Sequence, residues 1–471
     1  MCEDVRELGR NIGLSKKKTI VGQIADDALA FTAGADIGLD LRLAEADCLG
    51  TAAHVTMLSR MKSNALISAS ERAAVVKGLV VIMRQAREGR FKIRPADQDI
   101  HLAIERTLTQ TVGDVGKRIH TGRSRNDQVA VALRLYGKQE LFGLTDEIAT
   151  LAKTLVAFGY QHRKLPMVGR THMQPAMPSS VGLWSTAFAE SLLDDLIMVD
   201  AAQQFNDVCP LGAAAGYGVP LPLDRELSAS LLGFSRAHGN TIYAVDSRGK
   251  CEGVILSACA QVMLTLSRLA QDMMLYTLPE FGYFSIPAEY ATGSSIMPQK
   301  RNPDVFELVR ARSHVVLGQA QTVQAIMHGL PSGYNRDAQE TKAPFMAGID
   351  TTRQSLRIVN AIMSRLTVNE KPLRAAFDGS VFATDAALKL VADGMPFRDA
   401  YQHIKANVDQ LERENPDAAI AAKTHLGTTA GLDFGVFRTR IKAAKSAASK
   451  QERGHNRAMQ SLMGVPYPEL G

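Results

Sequence analysis

Cysteine is scarce in this chain. Five residues, Cys2, Cys48, Cys209, Cys251 and Cys259, are spread over 471 positions with no CxxC pair and no Cys/His metal spacing. So thin and odd a count argues against a disulfide framework and fits a reducing compartment. Long apolar runs are missing as well, the longest uncharged one (253–267) falling short of the ~20 residues a membrane span needs. The opening MCEDVRELGRNIGLSKKK is too charged for a signal peptide, so a cytoplasmic protein without membrane partners is expected. No GxGxxG after a strand, GxxxxGK[ST], HExxH or GxSxG occurs, which removes the usual support for nucleotide, P-loop, zinc-protease and hydrolase-elbow readings.

Aromatic residues make up only 6% of the chain, against 46% hydrophobic and 22% charged residues. That balance, rich in Ala, Leu, Met and Gln, favours helix over sheet, and the fold class is read as mainly α. The net charge of +6 is matched by one segment, Phe437 to Gln460, with seven Lys/Arg against Glu452 alone. No aromatic side chains are interleaved there for base stacking, so a solvated face on a terminal helix is expected rather than a nucleic-acid tail.

The length suggests about three domains, read as a small mostly helical domain over 1–118, a long-helix bundle over 119–367 and a small helical domain over 368–471. Five central segments, 129–161, 180–207, 246–277, 303–328 and 344–366, carry little Gly or Pro and predict helices of about 35 to 50 Å. In the third of these, Ser257, Gln261, Thr265, Arg268 and Asp272 leave only a narrow polar stripe. Such a helix needs neighbours on nearly every side, which predicts a bundle completed by other copies of the chain.

Polar groups concentrate in four stretches. HTGRSRNDQ (120–128) places Arg123, Ser124, Arg125, Asn126 and Asp127 at a helix start; they serve as caps or as a carboxylate site of fork-shaped donors. GRTHMQPAMPSS (169–180) holds Thr171 and His172, the latter a structural histidine or an acid/base whose weight depends on a partner. GSSIMPQKRNP (293–303) places Ser295, Lys300 and Asn302 ahead of a helix containing Glu307. It is either a helix lead-in or a mobile loop that closes over an anion. GYNRDAQETK (333–342) gathers Tyr334, Gln339 and Lys342 in what is a solvated loop or part of a site.

GSSIMPQKRNP closely resembles the GSSxMPxKxNP signature of the fumarase/aspartase superfamily, and HTGRSRNDQ, THMQ and YNRDAQETK are similar to its argininosuccinate lyase branch, which includes the delta-crystallins. The resemblance runs from FTAGADIGLDLRL to PFRDA. It implies three mainly helical domains, with central five-helix bundles joined into a twenty-helix homotetramer core. It also implies active sites shared between chains, a small-molecule substrate, and no metal or organic cofactor. Residue by residue, it makes Ser295 the catalytic base, with Lys300, Asn302, Ser124, Arg125 and Asn126 stabilising an aci-carboxylate dianion. His172, paired with Glu307, becomes a candidate proton donor. Thr171 becomes a substrate contact, and Tyr334, Gln339 and Lys342 holders of the arginine half, with Lys342 on its α-carboxylate. Asp40 matches an acidic residue on the same side. The implied reaction is elimination of fumarate from an arginine–succinate adduct. The alternatives are another fumarate-releasing C–N lyase and a non-catalytic crystallin-like protein.

The chain departs from the branch pattern in four places. It lacks a WGGRF-like start, has Asp36 where serine is common and Met177 where Gln is common, and carries Ser247, Arg248, Gly249 and Lys250 in place of an Asp-Arg-Asp run. These changes bear on the amine half of the substrate more than on the fumarate half.

Overall fold

A computed structural model describes residues 18–19, 22–23, 25–34, 36–61, 65–94 and 97–470. The charged stretch 1–17 and Cys2 lie outside the described residues. Helices dominate, and strands are short two-stranded pieces. Three helices lead: α1 (Ala44–Ser59), α2 (Ala69–Arg87) and α3 (Ile100–Val112). Side-chain caps set their starts. Ser68 and Glu71 form a reciprocal capping box on α2, and Asp99 accepts from the Leu102 N–H on α3.

The five long central segments are all helical: α4 (Arg125–Gln161), α5 (Val181–Asn206), α6 (Lys250–Tyr276), α7 (Asp304–Met327) and α8 (Lys342–Met363). Ser124 and Ser180 cap α4 and α5 through their hydroxyls. Between these helices runs a hairpin, β1 (Pro166–Thr171) and β2 (Gln174–Ser180), whose two-residue turn is His172 and Met173. Both turn residues have positive φ, 53° and 65°. Asn-Gly usually fills that geometry, so a His-Met pair there stores backbone strain.

Helix α6 packs on α5, α7 and α8. Leu256, Val262, Met263, Leu266, Leu269 and Met273 are buried. It is long and apolar enough to cross a membrane by composition, with mean hydropathy 1.5, but 61% of that window is buried inside the bundle; it is a core helix. The expected polar stripe divides in two. Thr265 turns inward and donates to Asp195 at 2.7 Å, and Asp272 accepts from the Trp184 indole at 2.9 Å, forming a polar seam with α5. Gln261 and Arg268 face outward beside Leu264, which is 55% exposed. Ile197, Leu308 and Val315 on α5 and α7 are likewise exposed.

Helices α4 and α8 are joined by charge. Arg353 reaches Glu140 at 2.5 Å and Glu147 at 2.8 Å, over the bare backbone of Gly143. After residue 367 the helices shorten as expected until α9 (Phe434–Met463), which returns along α4 and ends on Gly464 in a left-handed cap. Its apolar side buries Phe437, Ile441 and Met459, and its basic side faces solvent as expected, with Arg438, Lys442, Lys450, Arg453 and Arg457 exposed. Arg440 pairs with Asp194 on α5, and Lys445 with Asp146 on α4. Beyond it, Tyr467 donates to Glu45, and Arg84 on α2 grips the Leu470 carbonyl.

The start of α4 is fixed by Asp127, which is fully buried. One carboxylate oxygen accepts from the Ser124 N–H at 2.9 Å; the other accepts from the N–H groups of Gly212 and Ala214 at 3.0 and 2.9 Å. Burial pushes its pKa from the usual 3.8 up to about 6, against the pull of those N–H groups and Arg123.

Two outcomes follow from these contacts. A Cβ at Gly143 would lie 2.2 Å from the Arg353 guanidinium, so Gly143→Ala should break the paired charges and cost about 3 kcal/mol in urea unfolding. Because folded Asp127 holds its proton more tightly than the unfolded chain, its stabilising contribution is complete below pH 3.8 and is lost as pH rises through about 6. Asp127→Asn should therefore remove about 2 kcal/mol of the stability decline between pH 4 and pH 7, read from urea unfolding of both proteins at both pH values.

Candidate active site

Three segments remote in sequence meet in one cleft: the short helix Asp36–Asp40, the start of α4, and the turn Arg336–Thr341 that leads into α8. Asp36, Asp40, Arg125, Asn126, Tyr334, Gln339 and Lys342, all singled out in the sequence, line it. The Thr32 carbonyl accepts from Arg336 at 2.8 Å and from Gln339 at 3.0 Å, which ties the first segment to the third.

Lys342 is 2% exposed, and its ammonium lies between the carboxylates of Asp36, at 2.9 Å, and Asp40. The other oxygen of Asp40 accepts from the Ile100 N–H at the start of α3. Burial raises the Asp36 pKa even though Lys342 pulls it down. The ammonium expected to meet a substrate carboxylate is thus already held by two protein carboxylates.

Within HTGRSRNDQ the residues divide by helix face. Arg123 is buried and donates to Thr51 and the Ile119 carbonyl, a structural role. Arg125 faces the cleft, 3.3 Å from Asp99. Ser124 is the cap of α4, its hydroxyl accepting from the Asn126 N–H at 3.3 Å, and does not line the cleft.

Reading by residue type passed over Asp99 and His101, which also line the cleft, as do Arg336 of the stretch GYNRDAQETK and Arg248. Asp99 and His101 carried a usable signal, an Asp-x-His at a helix start. His101 is paired with buried Asp47; burial depresses its pKa, and the Asp47 charge more than compensates, so the net shift is upward. Arg248 lies in the stretch where the chain departs from its expected pattern.

The remaining sequence candidates lie elsewhere on the single chain. Thr171 and His172 are exposed at the hairpin tip, and Ser295, Lys300 and Glu307 are exposed on the loop 293–302 and the first turn of α7. That loop is closed at its base by backbone bonds between Thr292 and Asn302, and Ser294 accepts from the N–H groups of Ile296 and Met297. None of these candidates lines the cleft, and no hydrogen bond or ion pair joins His172 to Glu307 among the described residues.

A family profile described as a lyase matches residues 23–318. The argininosuccinate lyase of Sorangium cellulosum (strain So ce56) is 42% identical over 404 residues, covering 86% of this chain and 93% of that protein. That of Thermotoga neapolitana is 39% identical over 392 residues, covering 83% and 98%. Among solved structures, an EDDS lyase in complex with formate superposes with a TM-score of 0.78 at 21% identity, over 93% of this chain and 95% of that one. A class II fumarase from Schistosoma mansoni gives 0.70 at 16% identity, over 91% and 98%. The two structures establish the shared fold. With its motifs and with relatives this similar along most of its length, the chain belongs to the argininosuccinate lyase family of the fumarase/aspartase superfamily.

Proposed function

We propose that this chain cleaves 2-(N-arginino)succinate reversibly to arginine and fumarate in the cytoplasm, as a homotetramer with shared active sites. The observation that carries this reading is the convergence of Arg125, Asn126, Tyr334 and Gln339 on one cleft, in a chain about 40% identical to argininosuccinate lyases over most of its length. The cleft holds fork-shaped cations and carboxylates side by side, which suits a substrate carrying both charges.

In the proposed reaction Ser295, as alkoxide, takes a proton from the carbon beside a succinyl carboxylate. The electron pair moves into that carboxylate, giving an aci-carboxylate dianion stabilised by Lys300, Asn302, Arg125 and Asn126. Collapse of the dianion expels the guanidino nitrogen, which is protonated from His172, itself held by Glu307. Thr171 contacts the substrate, and the Ser124 cap keeps Arg125 and Asn126 in place. The protons and electrons balance without a metal or organic cofactor. An unperturbed serine is too weak a base for this step, so the loop 293–302 has to close and exclude water.

Two features support sharing of the site between copies. His172 and Ser295 are presented outward rather than into the chain's own cleft, and Ile197, Leu264, Leu308 and Val315 leave apolar surface on α5, α6 and α7 for other copies to cover.

Fumarate release followed by ultraviolet absorbance should be fast with argininosuccinate and absent with adenylosuccinate, and Ser295→Ala should lower it by ~10²–10⁴-fold. Equal turnover of both substrates would overturn the assignment. Mixed tetramers of Ser295→Ala and Arg125→Gln, each inactive alone, should recover about a quarter of wild-type activity, because random assembly rebuilds that share of sites from two chains. No recovery would place both residues in one chain's site.

A further inference from the structure

Arg248 is the least satisfied cation of the cleft. It is 5% exposed, its Nε is shut off from solvent, and no hydrogen bond reaches its guanidinium among the described residues. The ring of Tyr334 lies 5.9 Å from its guanidinium carbon. A buried guanidinium left this way is costly unless a ligand anion completes it.

Asp36 is its counterpart of opposite sign. One oxygen is bound by Lys342 at 2.9 Å, the second is free of hydrogen bonds among the described residues, and the side chain keeps 16% exposure toward the cleft. Two of the three N–H donors of the Lys342 ammonium are taken by the two aspartates.

We propose that Arg248 and Asp36 together receive the amino-acid head group of the amine product: Arg248 binds its α-carboxylate, the free oxygen of Asp36 binds its α-ammonium, and Lys342 only positions Asp36 and Asp40. A zwitterionic head group then meets one cation and one anion, each with unused hydrogen-bonding capacity. This assignment rests on the functional reading above and makes Asp36 and Arg248 the residues that select the amine.

Inhibition of fumarate release by arginine, by its α-decarboxylated analogue and by fumarate tests it. The analogue keeps the ammonium and lacks the carboxylate. Arg248→Gln should weaken arginine about tenfold or more, and the analogue and fumarate less than about threefold. Asp36→Asn should weaken arginine and the analogue alike by about tenfold, again sparing fumarate. Arg248→Lys should recover part of the arginine affinity, which separates lost charge from lost folding, and circular dichroism should show an unchanged helix content in every variant. Fumarate weakened as much as arginine by Arg248→Gln would place that residue on the succinyl side and overturn the proposal, as would arginine affinities that do not move. A wild type that is neither inhibited by arginine nor active on argininosuccinate would overturn the functional reading and this assignment together.

Discussion

An ammonium group taken almost wholly out of water, that of Lys342, holds the cleft together. Removing such a charge from solvent costs several kcal/mol, and two carboxylates contributed from the other end of the sequence compensate for it. Because Asp40 also accepts from the start of α3, a single lysine binds three elements: the short helix Asp36–Asp40, α3 and α8. The Thr32 carbonyl, bound by Arg336 and Gln339, runs a second line of contacts alongside. Loss of the lysine would strand two buried acids and separate the walls on which Arg125 and Tyr334 stand.

Much of the fold could be read from residue order, because the features that set it are local. Runs with little Gly or Pro, several opened by Ser124, Ser180 or Pro303, mark the five long helices to within a few residues. What could not be read depends on contacts across the fold. Thr265 belonged to a solvent stripe by its spacing, yet it faces Asp195 because α5 offers a carboxylate there. The basic side of α9 was assigned to water and faces it, but that Arg440 and Lys445 would also meet Asp194 and Asp146 depended on α5 and α4. Between Arg123 and Arg125, chemically equal in the motif, only the direction of the helix start decides which one is buried.

The candidate site was legible in the same uneven way. Sequence reading named Asp36, Asp40, Arg125, Asn126, Tyr334, Gln339 and Lys342, which line one cleft; the last five sit in short polar stretches that stand out between apolar helices, and the two aspartates were found through the family resemblance. Arg248 stood out only as part of a departure from the branch pattern, and nothing local to it showed that it would be buried against the cleft. Ser295, His172 and Glu307 are a different case: they lie at the surface of the chain, away from that cleft.

The far end of the chain has a bearing on how the protein is made. Tyr467 and Leu470 occupy places among α1, α2 and α4 that nothing else fills, with Glu45, Arg84 and Gln139 as their partners. While the ribosome is still extending the polypeptide, the leading helices therefore wait, with Arg84 lacking this partner, until residues 467–470 have emerged. A product halted short of residue 467 would carry that open groove permanently and present it to quality-control proteases.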